Sequence, residues 1–459
     1  MTSAADARLR RRLGPAAVIA VVVGDIVGSG IYFTPGELSA VAQAPWQIYF
    51  FWSLCGLITL CASLTLAELS VLLPRAGASY HIVREGFGPF WGFVKIWIEL
   101  WVSGPGSVAG VAILVGESAA QWLGRGIVPS PVACGAGAIA AFAAINLAGV
   151  EWGGRTQIAL TTIKLAGLFA LVAGALFLAP KAAVTAAALG TTPTAAQGLL
   201  DFARVVGLGV AVVLFTYDGW IDVSHLAGEV KDPRRNLPLG LGGGVAAVTA
   251  IYLIVNFAYL RVVPLQAMRE APLTVATRVA AAAFGPDAGA ILNALITVST
   301  LGALGGLVMT LPRLFYAAAA RYEEPQVSTR STPFFRLLSR VSTGSAVPTG
   351  SILFCATLSI AALVFFGSFS RLVTFFVVPV HVVNILMVAS VFRLRRRPDL
   401  GRSEYRTWGY PWVPVFYILV MASFLASALI YTPRDTLLGV AMTATALPAY
   451  TWLNSRRKA

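Results

Sequence analysis

Long apolar runs recur along the whole chain, separated by short polar segments. A helix needs about twenty apolar residues to cross a hydrocarbon core of about 30 Å. Twelve runs of that kind are read, at 15–43, 47–73, 88–117, 129–149, 155–179, 203–230, 238–263, 286–318, 347–367, 369–392, 412–431 and 435–453. Only a helix or a closed barrel satisfies its own backbone in lipid. The runs therefore predict an all-α integral membrane protein with twelve transmembrane helices. The 74–88 segment and the 319–346 loop carry short helical patterns suited to the interface, and the 264–285 loop reads as a helical hairpin capping the opposite side.

The polar segments are not alike. Basic residues gather in alternate ones: Arg8, Arg10, Arg11 and Arg12; Arg75 and Arg84; Arg155; Lys231, Arg234 and Arg235; Arg321 to Arg340; the 393–397 run; and Arg456, Arg457 and Lys458. The intervening loops hold scattered cations such as Arg125, Lys181, Arg269 and Arg371. Positive residues stay on the cytoplasmic side, so both termini are expected in the cytoplasm and the protein in the plasma (inner) membrane. The expected organisation is a basic N-terminus at 1–14, helices one to five at 15–179, helices six to ten at 203–392, a basic loop at 393–411, two further helices at 412–453 and a short tail at 454–459.

Composition agrees with this. The chain has 459 residues, 57% hydrophobic and 12% charged, with a mean hydropathy of +0.77; a soluble protein carries about twice that charge density. The formal charge of +14 does not indicate nucleic acid, because the basic residues lie in clusters between apolar spans. The apolar stretch after the basic N-terminus is too long for a cleavable signal peptide and lacks a cleavage site. Cys55, Cys61, Cys134 and Cys355 lie singly in apolar runs, without metal spacing, and read as small buried hydrophobes.

Two spans contain residues that disfavour a continuous helix. The first holds Gly24 to Ile31, with Gly28, Ser29 and Gly30 consecutive, and the sixth holds Phe215 to Asp222, with Asp218 and Gly219 inside. Glycine costs a helix about 1 kcal/mol relative to alanine, and Ser and Asp offer the backbone competing hydrogen bonds. Exposed backbone at membrane depth is tolerated only where it lines a cavity. The two spans are five apart, the spacing of two inverted five-helix repeats whose first helices are broken.

A broken helix offers N–H groups at the start of one half and carbonyls at the end of the other. An α-amino acid carries the matching carboxylate and ammonium. Ser29 and Gly30 are thus candidates for the carboxylate, and the carbonyls of Ile26, Val27, Phe215 and Asp218 for the amine; glycine at 28 and 30 permits close approach. Phe215, Tyr217 and Trp220 are candidate gates. Lys164 lies within an apolar run of span five, where a lysine is by default a functional residue. It is a candidate to carry a proton, or to stand as a fixed cation in place of sodium against the broken first span. Asp25, Asp218 and Asp222 are expected to cap exposed backbone. Glu68 and Glu229 lie near the cytoplasmic ends of spans two and six, where they either form gating pairs with Arg or Lys or are simply solvated at the interface; Lys95, Glu99 and Glu117 are positioned to pair along one helix or with neighbours; His225 reads as a packed, hydrogen-bonded histidine, with a proton relay as the alternative.

Several motifs resemble those of the amino acid–polyamine–organocation superfamily. They are Gly28 to Ile31 with Phe33 and Pro35; Ala67 to Leu69 with Pro74 to Tyr80; Phe215 to Trp220 with Gly228 to Pro238; and Pro312 to Tyr316 with Ala319 to Arg321. The resemblance implies a LeuT-like fold and secondary transport of amino acids by alternating access. It implies that Ser29, Gly30 and Ile31 hold the substrate carboxylate, that Ile26, Phe215 and Asp218 hold the amine, and that Phe215 occludes the site. Lys164 falls where sodium-independent members carry a lysine, with Ser299 or Thr300 beside it. The chain departs from many members at Asp218, where they have Gly, at Ile221, where they have Asn, and at Gly305, where a polar residue is frequent. Asp218 would favour a cationic substrate if it faces the cavity.

The expectation is a proton-coupled symporter or an exchanger, without cofactor, metal or obligate protein partner. The alternatives are a polyamine or organic-cation carrier, a sodium-coupled carrier, which Lys164 opposes, and a non-transporting sensor, which would be expected to carry a long signalling tail. No catalytic constellation is visible, and His81, His225 and His381 are dispersed.

Overall fold

The computed structural model describes residues 10–123, 130–180, 199–322, 333–366, 369–431 and 433–458. Arg8, Arg125, Lys181 and part of the 319–346 loop lie outside the described residues. Among the described residues the chain is helical, with one isolated pairing of extended backbone, Leu13 beside Val230.

The helices, in order, are α1 (Pro15–Ile26), α2 (Gly30–Ser39), α3 (Pro45–Leu72), α4 (Ala78–Phe87), α5 (Pro89–Ile98), α6 (Gly104–Leu123), α7 (Pro131–Ala148), α8 (Val150–Phe177), α9 (Leu199–Leu214), α10 (Pro233–Pro238), α11 (Gly244–Val262), α12 (Leu265–Glu270), α13 (Val275–Phe284), α14 (Ala288–Tyr322), α15 (Pro333–Leu338), α16 (Thr349–Phe366), α17 (Phe369–Leu394), α18 (Trp412–Tyr431), α19 (Pro433–Ala444) and α20 (Ala446–Lys458). Proline opens several of them at the first turn, where its missing N–H costs nothing, as at Pro15, Pro45, Pro89 and Pro131.

Among the described residues, eight helical stretches are long and apolar enough to cross a membrane, from Pro15–Ser39 to Ala288–Ala320, and shorter apolar helices include Thr349–Phe365, Val378–Leu394 and Trp412–Ala426. Each lies on a run read from the sequence. The fifth starts earlier than expected, at Val150 rather than 155, because the helix begins directly after Gly149 and carries Glu151 and Arg155 within its first turns. The last run is divided at Thr445 into α19 and α20, yet hydrogen bonds from Thr445 N to Ala441 O (3.3 Å) and from Ala449 N to Thr445 O (3.4 Å) carry the ladder across. The short patterns at 74–88 and 264–285 form α4 and the pair α12–α13. Arg269 holds that pair against the end of α2, donating through Nε to Ser39 O at 2.8 Å and through Nη2 to Ala42 O.

Helix α1 lies at the centre, packed on α8, α11 and α14, with Val18, Val21 and Val22 fully buried. Large apolar side chains such as Phe169, Phe177, Ile291 and Phe365 point outward, as a hydrocarbon solvent rather than water favours.

One end of the molecule is closed by charge and backbone pairing. Arg12 N and Leu13 N donate to Glu229 O (2.9 and 3.0 Å), and Lys231 N donates to Leu13 O (2.8 Å). The side chain of Glu229 receives Arg313 Nε at 2.7 Å, with both side chains at 0% exposure. Arg313 Nη1 also donates to Met309 O at 2.6 Å. Nearby in kind, Glu68 is gripped by Arg395 Nε and Nη2, both at 2.7 Å, and by the Thr407 N–H and hydroxyl at 2.8 and 2.6 Å. Glu68 and Glu229 thus sit in ion pairs with arginines, the first of the two readings open on sequence, rather than solvated at the interface.

Candidate functional site

The first long element is interrupted where glycine and serine are consecutive. Helix α1 ends at Ile26, Val27 leaves the helical conformation (ψ 83°), and α2 starts at Gly30. Val27 N closes the last turn on Val23 O at 2.9 Å, and Gly28 N turns back to Ile26 O at 2.9 Å. Among the described residues no protein acceptor meets the N–H groups of Ser29, Gly30 and Ile31. These are the free donors of a helix start.

The second interruption follows α9. A single tight turn at Phe215–Tyr217 leads to Asp218 in extended conformation and to Gly219 at φ 96°, before a 3-10 segment at Asp222–Glu229. That φ belongs to the left-handed side, which a glycine enters without strain. A Cβ there would lie 3.0 Å from Asp25, so the residue also lets the two interruptions approach.

Side chains from three other helices hold the breaks open. Lys164, on α8 and 0% exposed, donates through Nζ to Val27 O (2.6 Å), Gly24 O (2.7 Å) and Ser299 O (3.2 Å). Ser299 on α14 brings its hydroxyl to Gly28 O (3.0 Å) and Val27 O (3.2 Å). Tyr252 on α11 places its hydroxyl 2.9 Å from Ile26 O and 3.1 Å from Thr216 O, one carbonyl from each break. Thr34 and Thr216 join their hydroxyls at 2.9 Å. Lys164 is therefore satisfied by main chain: an ammonium placed where helical carbonyls have lost their own donors. Tyr252→Phe removes one donor from the junction of both breaks. It is expected to lower stability by about 1 kcal/mol, read as thermal unfolding in detergent.

Between the breaks, α6 and α14 lies a cavity of about 160 Å³. Ile26, Gly28, Ser29, Gly30, Phe215, Asp218 and Thr300 line it, seven of the residues singled out from the sequence. Val27 does not: its carbonyl is taken by Lys164 and Ser299, and its side chain is buried. Ile31 is buried in the core behind the cavity wall. Tyr217 points away, donating to Trp52 O at 2.9 Å and packing against the rings of Trp52 and Tyr252. With Trp220 it lines a second cavity of about 260 Å³, bounded also by His381, Tyr417 and Phe424. Phe215, 44% exposed, and Asp218 line both cavities.

The sequence reading missed part of the lining. A π-helical turn at Glu99–Ser103 brings Glu99 to the cavity, paired with Lys95 and accepting from Ser103 Oγ at 2.6 Å. Such turns gather at functional sites, but nothing in the local sequence marks this one. Asp25 and Asp222 line the cavity instead of capping helix ends. Gln157, which donates to Gly302 O at 3.0 Å and lies 3.4 Å from Asp25 Oδ1, was not singled out either. His225 is buried with Nε2 3.0 Å from Ser79 Oγ, the packed histidine expected of it. Glu117 is exposed and joins no pair among those described.

A family model described as amino acid permease matches residues 13–452. The serine/threonine exchanger SteT of Bacillus subtilis is 28% identical over 98% of this chain and 99% of its own length. The b(0,+)-type amino acid transporter 1 of Mus musculus is 24% identical over 93% of this chain and 84% of its own. The large neutral amino acids transporter small subunit 2 of Oryctolagus cuniculus is 26% identical over 96% and 80%.

Proposed function

The chain belongs to the amino acid permease family, and on that premise we propose that it is a secondary active transporter moving amino acids across the plasma (inner) membrane by alternating access. It spans the membrane twelve times with both termini in the cytoplasm, as two inverted five-helix repeats, 15–179 and 203–392, followed by two peripheral helices. The observation that carries the reading is the pair of interruptions facing one cavity, with the free N–H groups of Ser29, Gly30 and Ile31 on one side. The substrate carboxylate sits on those amides. Its amine meets carbonyls at Phe215, Asp218 and Ile26, of which Phe215 O already receives Asp218 N (3.2 Å) and Ile26 O receives Gly28 N (2.9 Å) and Tyr252. Phe215 closes over the substrate, with Tyr217 and Trp220 lining the approach through the second cavity.

Transport is independent of sodium. Support comes from the Lys164 ammonium, which occupies the carbonyl-lined position beside the first break that a sodium ion would need. Thr300 lines the cavity next to Ser299, so substrate and coupling lysine communicate through one turn of α14. The driving force is exchange for internal substrate or a proton gradient. This chain alone forms the transport unit, whereas the rabbit relative bears the name of a small subunit.

Uptake of radiolabelled amino acids into proteoliposomes tests this, with internal substrate, a pH gradient or sodium added separately. Stimulation by internal substrate or by acid outside supports the proposal; dependence on sodium contradicts it. Gly30→Val is expected to remove binding, because even a Cβ there would stand 2.8 Å from Thr216 Cγ2. The readout is substrate affinity, and wild-type affinity in this variant argues against carboxylate binding at that amide.

A further inference from the structure

Four carboxylates line the cavity between the two breaks: Asp25, Glu99, Asp218 and Asp222. Glu99 has partners that use it: it pairs with Lys95 and accepts from Ser103. Among the described residues the other three have no comparable partner. Among the described residues, Asp25 Oδ1 has only the long contact from Gln157, and its Oδ2 has no partner. Asp222 is 6% exposed, and its basic neighbour is His225, whose Nδ1 stands 3.8 Å away, beyond hydrogen-bond distance. Nε2 of that histidine is engaged by Ser79. Asn384, 5% exposed and lining the same cavity, has an unpartnered Oδ1.

Apart from the amides of the first break, the unmet side-chain groups around this cavity are acceptors, His381 acts on Asp218, and the two lysines nearby are engaged. Lys95 is paired with Glu99, and Lys164 faces the carbonyls of Gly24, Val27 and Ser299. The charges of Asp25 and Asp222 act on one another, and those of Asp218 and Glu99 act on Asp222. A zwitterionic amino acid with a neutral side chain adds one positive and one negative charge and leaves this excess unchanged. A carboxylate kept in a low-dielectric site either holds a proton or is charged beside a cation or donor-rich partner, and a cationic ligand favours the second state.

We propose that the cavity selects amino acids with a cationic side chain, whose ammonium or guanidinium is received by Asp222, with Asp25 and Asn384 as further acceptors. This rests on the reading above: the α-carboxylate and α-amine stay on the two breaks, and the side chain is what the acidic wall reads. Asp222 is then the specificity residue, since a site built to pair a charge rejects the analogue lacking it.

Competing uptake of radiolabelled arginine and leucine into proteoliposomes tests the assignment, with agmatine as the arginine analogue lacking a carboxylate. Wild type is expected to favour arginine over leucine by about tenfold or more, and Asp222→Asn to lower the arginine-to-leucine ratio by a similar factor. A wild type that prefers leucine overturns the assignment while leaving amino acid transport standing. A folded Asp222→Asn protein with an unchanged ratio also overturns it. Agmatine competing as well as arginine, or no amino acid binding at all, instead sinks the underlying placement of the carboxylate on the first break. Should Asp222→Asn not fold, the wild-type preference decides the matter alone.

Discussion

Lys164→Ala is expected to reduce amino acid uptake by about two orders of magnitude while leaving a folded, monodisperse protein. The lysine contributes no packing that a core helix lacks elsewhere; it supplies N–H donors to Gly24 O, Val27 O and Ser299 O. Each buried acceptor left without a donor costs about 1–3 kcal/mol; Gly24 O and Val27 O lie at the first interruption, and Val27 O keeps only the longer contact from Ser299 Oγ. On the proposed placement of the substrate, relaxation of that turn moves the amides of Ser29 and Gly30 off its carboxylate. A misplacement of about 1 Å in a positioning group is enough for a hundredfold loss. The check is initial uptake rate beside size-exclusion profile and thermal unfolding. Unchanged uptake removes the lysine from the mechanism, and a protein that fails to fold makes it structural only.

Arg313→Leu is expected to be the most destabilising single change at the closed end. It leaves Glu229, at 0% exposure, without its charged partner. Removing one member of a buried ion pair costs about 3–5 kcal/mol, whereas replacing both by apolar residues is often near neutral. Unfolding of Arg313→Leu in detergent should therefore occur well below wild type, and Glu229→Leu with Arg313→Leu should recover most of the loss. Glu229 O also holds the N–H groups of Arg12 and Leu13. The single variant should accordingly loosen the N-terminal segment, read as faster proteolysis near residue 12. Equal stability of the single variant and wild type would contradict the assignment.

What the sequence disclosed follows from how local each feature is. The two interruptions were legible because Gly28, Ser29 and Gly30, and likewise Asp218 and Gly219, oppose a helix by their own backbone chemistry. Lys164 was legible because a charge inside an apolar run needs a reason. Tyr252 and Gln157 were not, since one polar residue in an apolar span looks the same whichever way it faces. The partners of Glu68 and Glu229 stand 327 and 84 residues away, and only the packing of α3 near the 393–411 segment and of α14 near the Asp222–Glu229 segment selects them. Tyr217 was expected at the substrate cavity with its neighbours Phe215 and Asp218; the irregular turn at 215–218 sends it to Trp52 instead. The acidic wall was half legible. Asp25, Asp218 and Asp222 stood out as charges, but a carboxylate beside a helix break caps backbone or faces a ligand with equal ease on sequence grounds.

The most direct test is an experimental structure of the purified protein with a transported amino acid bound. The expected result places the carboxylate within hydrogen-bond distance of the amide nitrogens of Ser29, Gly30 and Ile31, and the amine at the carbonyls of Phe215 and Asp218. A ligand held away from both interruptions, or a first helix running unbroken from Pro15 to Ser39, would contradict it.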